Sequence, residues 1–202
     1  MHTAISHPHL PLILASSSPY RREVLSRLGI EFSSVSPEID ESPMEGETLE
    51  NQVRRLAESK ALAVAASHPR ALIIGSDQLA ALDERVMGKP GNHQRAIEQL
   101  TMLSGRRVTF FTGLCLLNSD SGERQVCCET YHVEFRNLTE EEVEHYLRKE
   151  QPYNCAGAFK SEGLGVCLFK RMEGDDPASL IGLPLIQLVN MLRNQGLDVL
   201  LA

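Results

Sequence analysis

The residues in this chain that could do chemistry are hydroxylic, basic and acidic groups gathered in a few short segments. Ser16-Ser17-Ser18-Pro19-Tyr20-Arg21-Arg22 follows a short apolar run. Ser18 has the form of a helix N-cap, and Pro19 suits the first helical position. A helix start offers free N–H donors and a positive dipole end, which favour phosphate. The hydroxyl of Ser16 adds a donor, and Arg21 and Arg22 add bidentate recognition of phosphate oxygens. The same pattern also describes an ordinary capped helix with surface arginines.

Gly75-Ser76-Asp77-Gln78 is expected at the carboxyl end of an apolar strand, where open α/β sheets bind ligands. A carboxylate there holds Mg²⁺ or takes a proton from water; the plainer reading is a polar strand end that starts a hairpin. Glu38, Asp40 and Glu41 crowd one loop, either as a metal or water-orienting site or as a solvated acidic stretch. Lys60 falls on the apolar side of a helix with Leu56, Ala57 and Val64. A buried ammonium there needs an anionic partner, and otherwise it snorkels to water. Lys89, in Met87-Gly88-Lys89-Pro90, stands out from a turn towards phosphate or towards plain solvent. The small residues of Cys155–Gly165 allow close backbone approach to a ligand, or form a tight loop and bulged strand. Cys155 has no activating partner in sequence and reads as a buried thiol.

These groups need elements to position them, and helices alternate with strands along the chain, which predicts an α/β fold. Strands are expected at 12–15, 32–35, 71–75, 79–82, 86–87, 108–112, 114–118, 125–135, 163–169 and 199–201. Helices are expected at 19–28, 48–67, 93–103, 139–149 and 184–194. Thr139-Glu140-Glu141-Glu142 has the capping-box form. Residues 1–10 read as a loose leader, and 11–202 as a single domain of two lobes around a cleft.

With 202 residues the chain can bury about 70% of its unfolded surface, so its core needs no staples. Its formal net charge of −7 argues against a general nucleic-acid or anionic-membrane binder, without excluding a local basic pocket. Five cysteines cannot all pair, and no C-x-x-C or zinc spacing occurs, so reduced thiols in the cytoplasm are expected. No apolar run approaches the ~18 residues of a membrane span. No H-E-x-x-H, G-x-S-x-G, G-x-x-x-x-G-K-[ST] or G-x-G-x-x-G occurs, so nucleotide chemistry cannot rest on those motifs.

Taken in order, Leu-Ala-Ser-Ser-Ser-Pro-Tyr-Arg-Arg (14–22), Glu-Ile-Asp-Glu (38–41), Arg-Leu-Ala-Glu-Ser-Lys-Ala (55–61) and Gly-Ser-Asp-Gln (75–78) resemble the Maf family of nucleoside triphosphate pyrophosphatases. Gly-Lys-Pro (88–90), Leu-Ser-Gly (103–105), Cys-Ala-Gly-Ala-Phe-Lys-Ser-Glu-Gly (155–163) and Gly-Leu-Pro (182–184) continue the resemblance. It implies an α/β fold of the Maf/inosine-triphosphatase type, a twisted mixed sheet with helices around a central cleft. It also implies cleavage between the α and β phosphates, which releases a nucleoside monophosphate and pyrophosphate. By position, Asp77 matches the family's proton acceptor. Ser16, Arg21, Arg22, Glu41, Lys60 and Lys89 match cleft residues linked to substrate, phosphate or metal. The expected cofactor is a divalent cation (Mg²⁺, Mn²⁺ or Co²⁺), with Glu41 and Asp77 as its ligands, and a homodimer is a family-level expectation.

Three positions indicate a branch. Family members acting on dTTP and UTP read Ser-Pro-Arg-Arg, Ala-Asp-Thr and Gly-Ile-Gln-Gly. Tyr20, Gln78 and Glu162 depart from that pattern and resemble the YceF-type branch, associated with 7-methyl-GTP, which often carries Trp where this chain has Tyr20. N7-methylation gives guanine a delocalised positive charge. An aromatic ring at 20 would stack on it, and Glu162 would accept from guanine N1–H and N2–H. The resemblance leaves two other readings: a pyrophosphatase for UTP, dTTP or other modified nucleotides, and a nucleotide-binding regulator of septum formation.

Overall fold

The structure, a computed structural model, describes residues 10–83 and 85–201. The expected leader, apart from Leu10, lies outside the described residues.

Seven strands form one mixed sheet: β1 (Leu12–Ala15), β2 (Ser33–Val35), β3 (Leu72–Leu82), β4 (Arg85–Met87), β5 (Arg107–Asn118), β6 (Arg124–Phe135) and β7 (Phe169–Glu173). Their order is β2-β1-β3-β5-β6-β7, with β4 also paired to β3. β1 lies parallel to β2 and β3, and the remaining pairs are antiparallel. Among the described residues five helices surround the sheet: α1 (Pro19–Ser26), α2 (Leu49–Ala65), α3 (His93–Leu103), α4 (Glu140–Glu150) and α5 (Leu185–Asn194). The α/β expectation of a mixed sheet flanked by helices therefore holds.

Caps set the helix starts. Ser18 accepts from the Arg21 N–H, Thr48 from Asn51 and Asn92 from Arg95, and Thr139 with Glu142 closes the expected capping box. The first half of β3 is buried on both faces, which explains its continuous apolar run. Ile73 packs with Ala57 and Ala61 of α2, and Leu72 and Ile74 pack on the other side with Val24 and Leu25 of α1 and Leu188 of α5.

Two glycines bring α2 down onto the sheet. A Cβ at Gly75 would collide with the carbonyl oxygen of Ala57, and one at Gly113 with that of Val53. The helix backbone thus rests directly on β3 and β5, and this close approach sets how near Lys60 comes to the strand below.

Several expectations need correction. Residues 71–75 and 79–82 are not two strands: β3 runs unbroken through Gly75-Ser76-Asp77-Gln78, because β5 pairs with it from Leu72 to Ala81. Asp77 is therefore inside a strand and not at its end. β5 likewise runs unbroken through Gly113. Residues 164–168 form a 3-10 turn, and the strand begins only at Phe169. Residues 199–201 form no strand; Leu200 and Leu201 are exposed. A 3-10 turn at Pro177–Ile181, absent from the expectations, packs beneath β3.

Candidate active site

The cleft opens where β3 loses a neighbour. On one edge β3 pairs with β1 from Leu72 to Gly75, and with β4 from Ala80 to Leu82. Between them, Ser76–Leu79 have β5 on the opposite edge and neither β1 nor β4 on this one. The ligand rule for carboxyl ends is thus met by β1, which stops at Ala15, while β3 continues past it as a wall. A cleft of about 510 Å³ occupies the gap.

Strand alternation divides the work of this wall. Asp77 shares the α2 face with Gly75. Ser76 and Gln78 face the other side and hold the 177–182 segment. Ser76 Oγ lies 2.8 Å from both the Gly113 and Gly182 carbonyl oxygens. Gln78 Nε2 donates to Ser179 O at 2.7 Å and reaches Thr112 Oγ1 at 3.0 Å and Leu180 O at 3.2 Å. The Gln78 amide nitrogen is therefore committed to the protein. The segment it holds is fixed at its other end by buried Asp176, which accepts from the Ala178 and Ile186 N–H groups.

Lys60 and Asp77 form the centre of the cleft. Lys60 Nζ donates to Asp77 Oδ1 at 2.6 Å and meets Glu41 Oε1 at 2.7 Å. The anionic partner that a buried ammonium requires is thus a pair of carboxylates. Asp77 Oδ2 has no hydrogen-bond partner among the described residues. The Glu41 carboxyl is held below the usual carboxylate range, chiefly by the Lys60 hydrogen bond, with Arg21 and Lys89 adding to it. The Arg21 guanidinium donates through Nε to the Gly182 carbonyl oxygen at 2.8 Å, which leaves its two terminal nitrogens for a ligand. Burial lowers its pKa, and the charges of Asp77 and Glu41 oppose that shift.

A second set of residues stands on the same cleft. Tyr20 Oη and Cys155 Sγ lie 3.7 Å apart. The Tyr20 phenol is pushed up to about 12, first by the bond with Cys155 and then by burial, so it stays neutral at physiological pH. Burial also raises the Cys155 thiol, but the residue is half-buried and lines the cleft, so the expectation of a buried thiol is corrected. Glu162 is exposed, and among the described residues its carboxylate accepts a single side-chain bond, from Ser161 Oγ at 3.3 Å.

Of the ten residues singled out in the sequence, Ser16, Tyr20, Arg21, Glu41, Lys60, Asp77, Gln78, Lys89 and Glu162 line this cleft. Arg22 does not. One position along α1 turns it away from Arg21, and it is exposed. In the acidic loop only Glu41 reaches the cleft, while Asp40 caps the Ser42 N–H. The loop is pinned by Arg55, which binds Glu47 through two contacts of 2.7 Å and the Ser42 carbonyl oxygen at 3.1 Å. Arg55 precedes Lys60 by five residues, and the acidic loop upstream is the sequence signal for its role. Phe159, within the 155–163 motif, also lines the cleft, as do Phe110 and Asn154, which carry no sequence signal of their own.

The donor set bears on a metal. Among the described residues no third His, Cys, Asp or Glu joins Glu41 and Asp77. One or two carboxylates are what Mg²⁺ uses when phosphates and water complete its shell. The set fits a cation that arrives with a polyphosphate, and it does not fit an all-protein cage. All five cysteines are free, and no helix among the described residues is long and apolar enough to cross a membrane.

The model of the family described as Maf-like protein matches residues 11–195. A 7-methyl-GTP pyrophosphatase of Methylobacillus flagellatus is 55% identical over 190 residues, which is 94% of this chain and 99% of that protein. Proteins of the same name from Pseudomonas putida and Nitrosococcus oceani are 57% and 52% identical, each over 94% of this chain and over 99% and 95% of their own. Among solved structures, the Staphylococcus aureus Ham1 protein matches with a TM-score of 0.45 at 18% identity, covering 77% of this chain and 89% of that one.

Proposed function

This chain belongs to the Maf family, and from that premise we propose that it hydrolyses 7-methyl-GTP to 7-methyl-GMP and pyrophosphate. The observation that carries the reading is one cleft lined by two unlike sets of groups. Arg21, Lys60 and Lys89 supply positive charge for phosphates. Tyr20 and Glu162 supply an aromatic ring and a carboxylate with no ion pair among the described residues, which suit a cationic base.

In this mechanism a water oxygen attacks the α-phosphorus and the bond to the bridging oxygen of the β-phosphate breaks. Asp77 Oδ2 takes the water proton, and Lys60, bound to Oδ1, holds that carboxylate in place. The terminal nitrogens of Arg21, together with Lys89, Ser16 and the N–H groups at the start of α1, neutralise the departing pyrophosphate. Glu41 and Asp77 would hold a divalent cation, Mg²⁺, Mn²⁺ or Co²⁺, which when bound supplies further neutralisation of phosphate charge. Gln78 fixes the floor of the cleft through the 177–182 segment. The substrate is a small molecule, and the enzyme acts in the cytoplasm as a homodimer.

Turnover in ¹⁸O-labelled water tests the bond cleaved. Label is expected in 7-methyl-GMP and absent from pyrophosphate. Label in pyrophosphate, or release of inorganic phosphate instead, would overturn the attack at the α-phosphorus.

A further inference from the structure

Lys160 and Glu162 stand two residues apart on one loop, yet among the described residues only Lys160 is ion-paired. Its Nζ lies 3.3 Å from Glu150 Oε1 and donates to the Glu150 carbonyl oxygen at 3.1 Å. Glu150 is the last residue of α4. Its Oε2 accepts the Leu164 N–H at 2.8 Å. A Cβ on Gly163 would stand 2.6 Å from that oxygen, so the carboxylate is seated against the backbone directly after Glu162. The pair is largely shielded, with side-chain exposures of 23% for Lys160 and 16% for Glu150. Glu162, by contrast, lines the cleft and has no cationic partner among the described residues.

We infer that Glu150 is a positioning residue for substrate selection: by binding Lys160 it keeps the Glu162 carboxylate uncompensated. This rests on the reading of Tyr20 and Glu162 as the site of a cationic base. Freed from Glu150, the ammonium of Lys160 has Glu162 as the neighbouring carboxylate of its own loop. Paired there, it would cancel the negative charge and repel a methylated, positively charged ring. A neutral guanine would lose much less. The quantity that reports the device is therefore the preference for 7-methyl-GTP over GTP, taken as a ratio of kcat/KM values.

Glu150→Gln is the informative change, because an amide oxygen can still accept the Leu164 N–H while the charge is gone. The ratio is expected to fall about three- to fivefold, the size an exposed ion pair delivers. Adding Lys160→Met to Glu150→Gln should restore it, and Lys160→Met alone should hold or raise it. A purely structural role for Glu150 would not be rescued by removing Lys160. An unchanged ratio in Glu150→Gln, a fall that the double variant does not restore, or a fall in Lys160→Met alone overturns the inference. If the unsubstituted enzyme shows no preference, and Glu162→Gln changes nothing, the base-site reading itself fails. A preference that Glu162→Gln lowers and Glu150→Gln does not leaves that reading standing and removes only Glu150.

Discussion

Lys60 lies between two carboxylates, Glu41 at 2.7 Å and Asp77 at 2.6 Å, whereas Lys160 holds Glu150 at 3.3 Å and Glu162 has no ion-pair partner among the described residues. Both lysines belong to the surroundings of one cleft, and they distribute charge in opposite ways. Lys60 gathers carboxylates where a phosphate and a cation would meet. Lys160 is drawn off by α4, so that a carboxylate stays bare where a base would sit. Depth differs too: the Lys60 and Asp77 side chains are only 9% and 10% exposed. A buried pair is costly to break, and a shallower one is not.

The largest expected effect breaks the deep side of the comparison. Asp77→Asn should lower kcat about 10³-fold with the fold intact, the scale of losing a general base. Single-turnover pyrophosphate release checks this, and a fall below tenfold would remove Asp77 from the chemistry. Next comes stability. Lys60→Met leaves Asp77 buried without its ion-pair partner and should cost about 3 kcal/mol. Lys160→Met should cost about 1 kcal/mol or less. Urea unfolding of both variants decides it, and equal costs would erase the contrast in depth.

On the shallow side, Glu162→Gln should lower the preference for 7-methyl-GTP over UTP about tenfold while changing UTP turnover little, the price of one charge facing a cationic base. An unchanged preference would show that the base is read elsewhere. The smallest effect is on pH. The Glu41 pKa is lowered in the folded state, so its pairing with Lys60 stabilises above the ordinary carboxylate pKa and is lost as pH falls through the lowered value. Glu41→Gln should therefore lower the urea midpoint at pH 7 and cease to matter well below pH ~4. A difference that persists in acid would contradict that sign.

The sequence carried much of this arrangement where chemistry is written in local patterns. Ser18-Pro19, Thr48 and Thr139–Glu142 fix their helix starts by hydrogen bonds within a few residues, and those starts are where they were expected. Lys60 on an apolar helix face left two readings, a buried ammonium with an anionic partner or one that snorkels to water, and the structure has the first. What failed was non-local. The breaks expected at Gly75–Gln78 and Gly113 share one cause, since Asp77 pairs with Gly113 in register and α2 crosses both strands there. Glycine and polar residues read as strand ends along one chain, whereas in the sheet they make room for a helix and a cleft. The 164–168 segment reads as a strand by composition, but Gly165 N–H and Gly163 N–H turn back to the Lys160 carbonyl oxygen and withhold it from the sheet. The Glu150–Lys160 pair joins a helix end to a distant loop, and no local spacing announces it.

The central claim is that this cleft selects and cleaves a cationic nucleotide. The most direct test is pyrophosphate release by the purified protein from 7-methyl-GTP, GTP, UTP and dTTP, with added divalent cation and with chelator. Cation-dependent turnover with the highest kcat/KM on 7-methyl-GTP is the predicted result. Faster turnover of UTP or dTTP would contradict the base-site argument, and the absence of turnover on all four would contradict the enzyme itself.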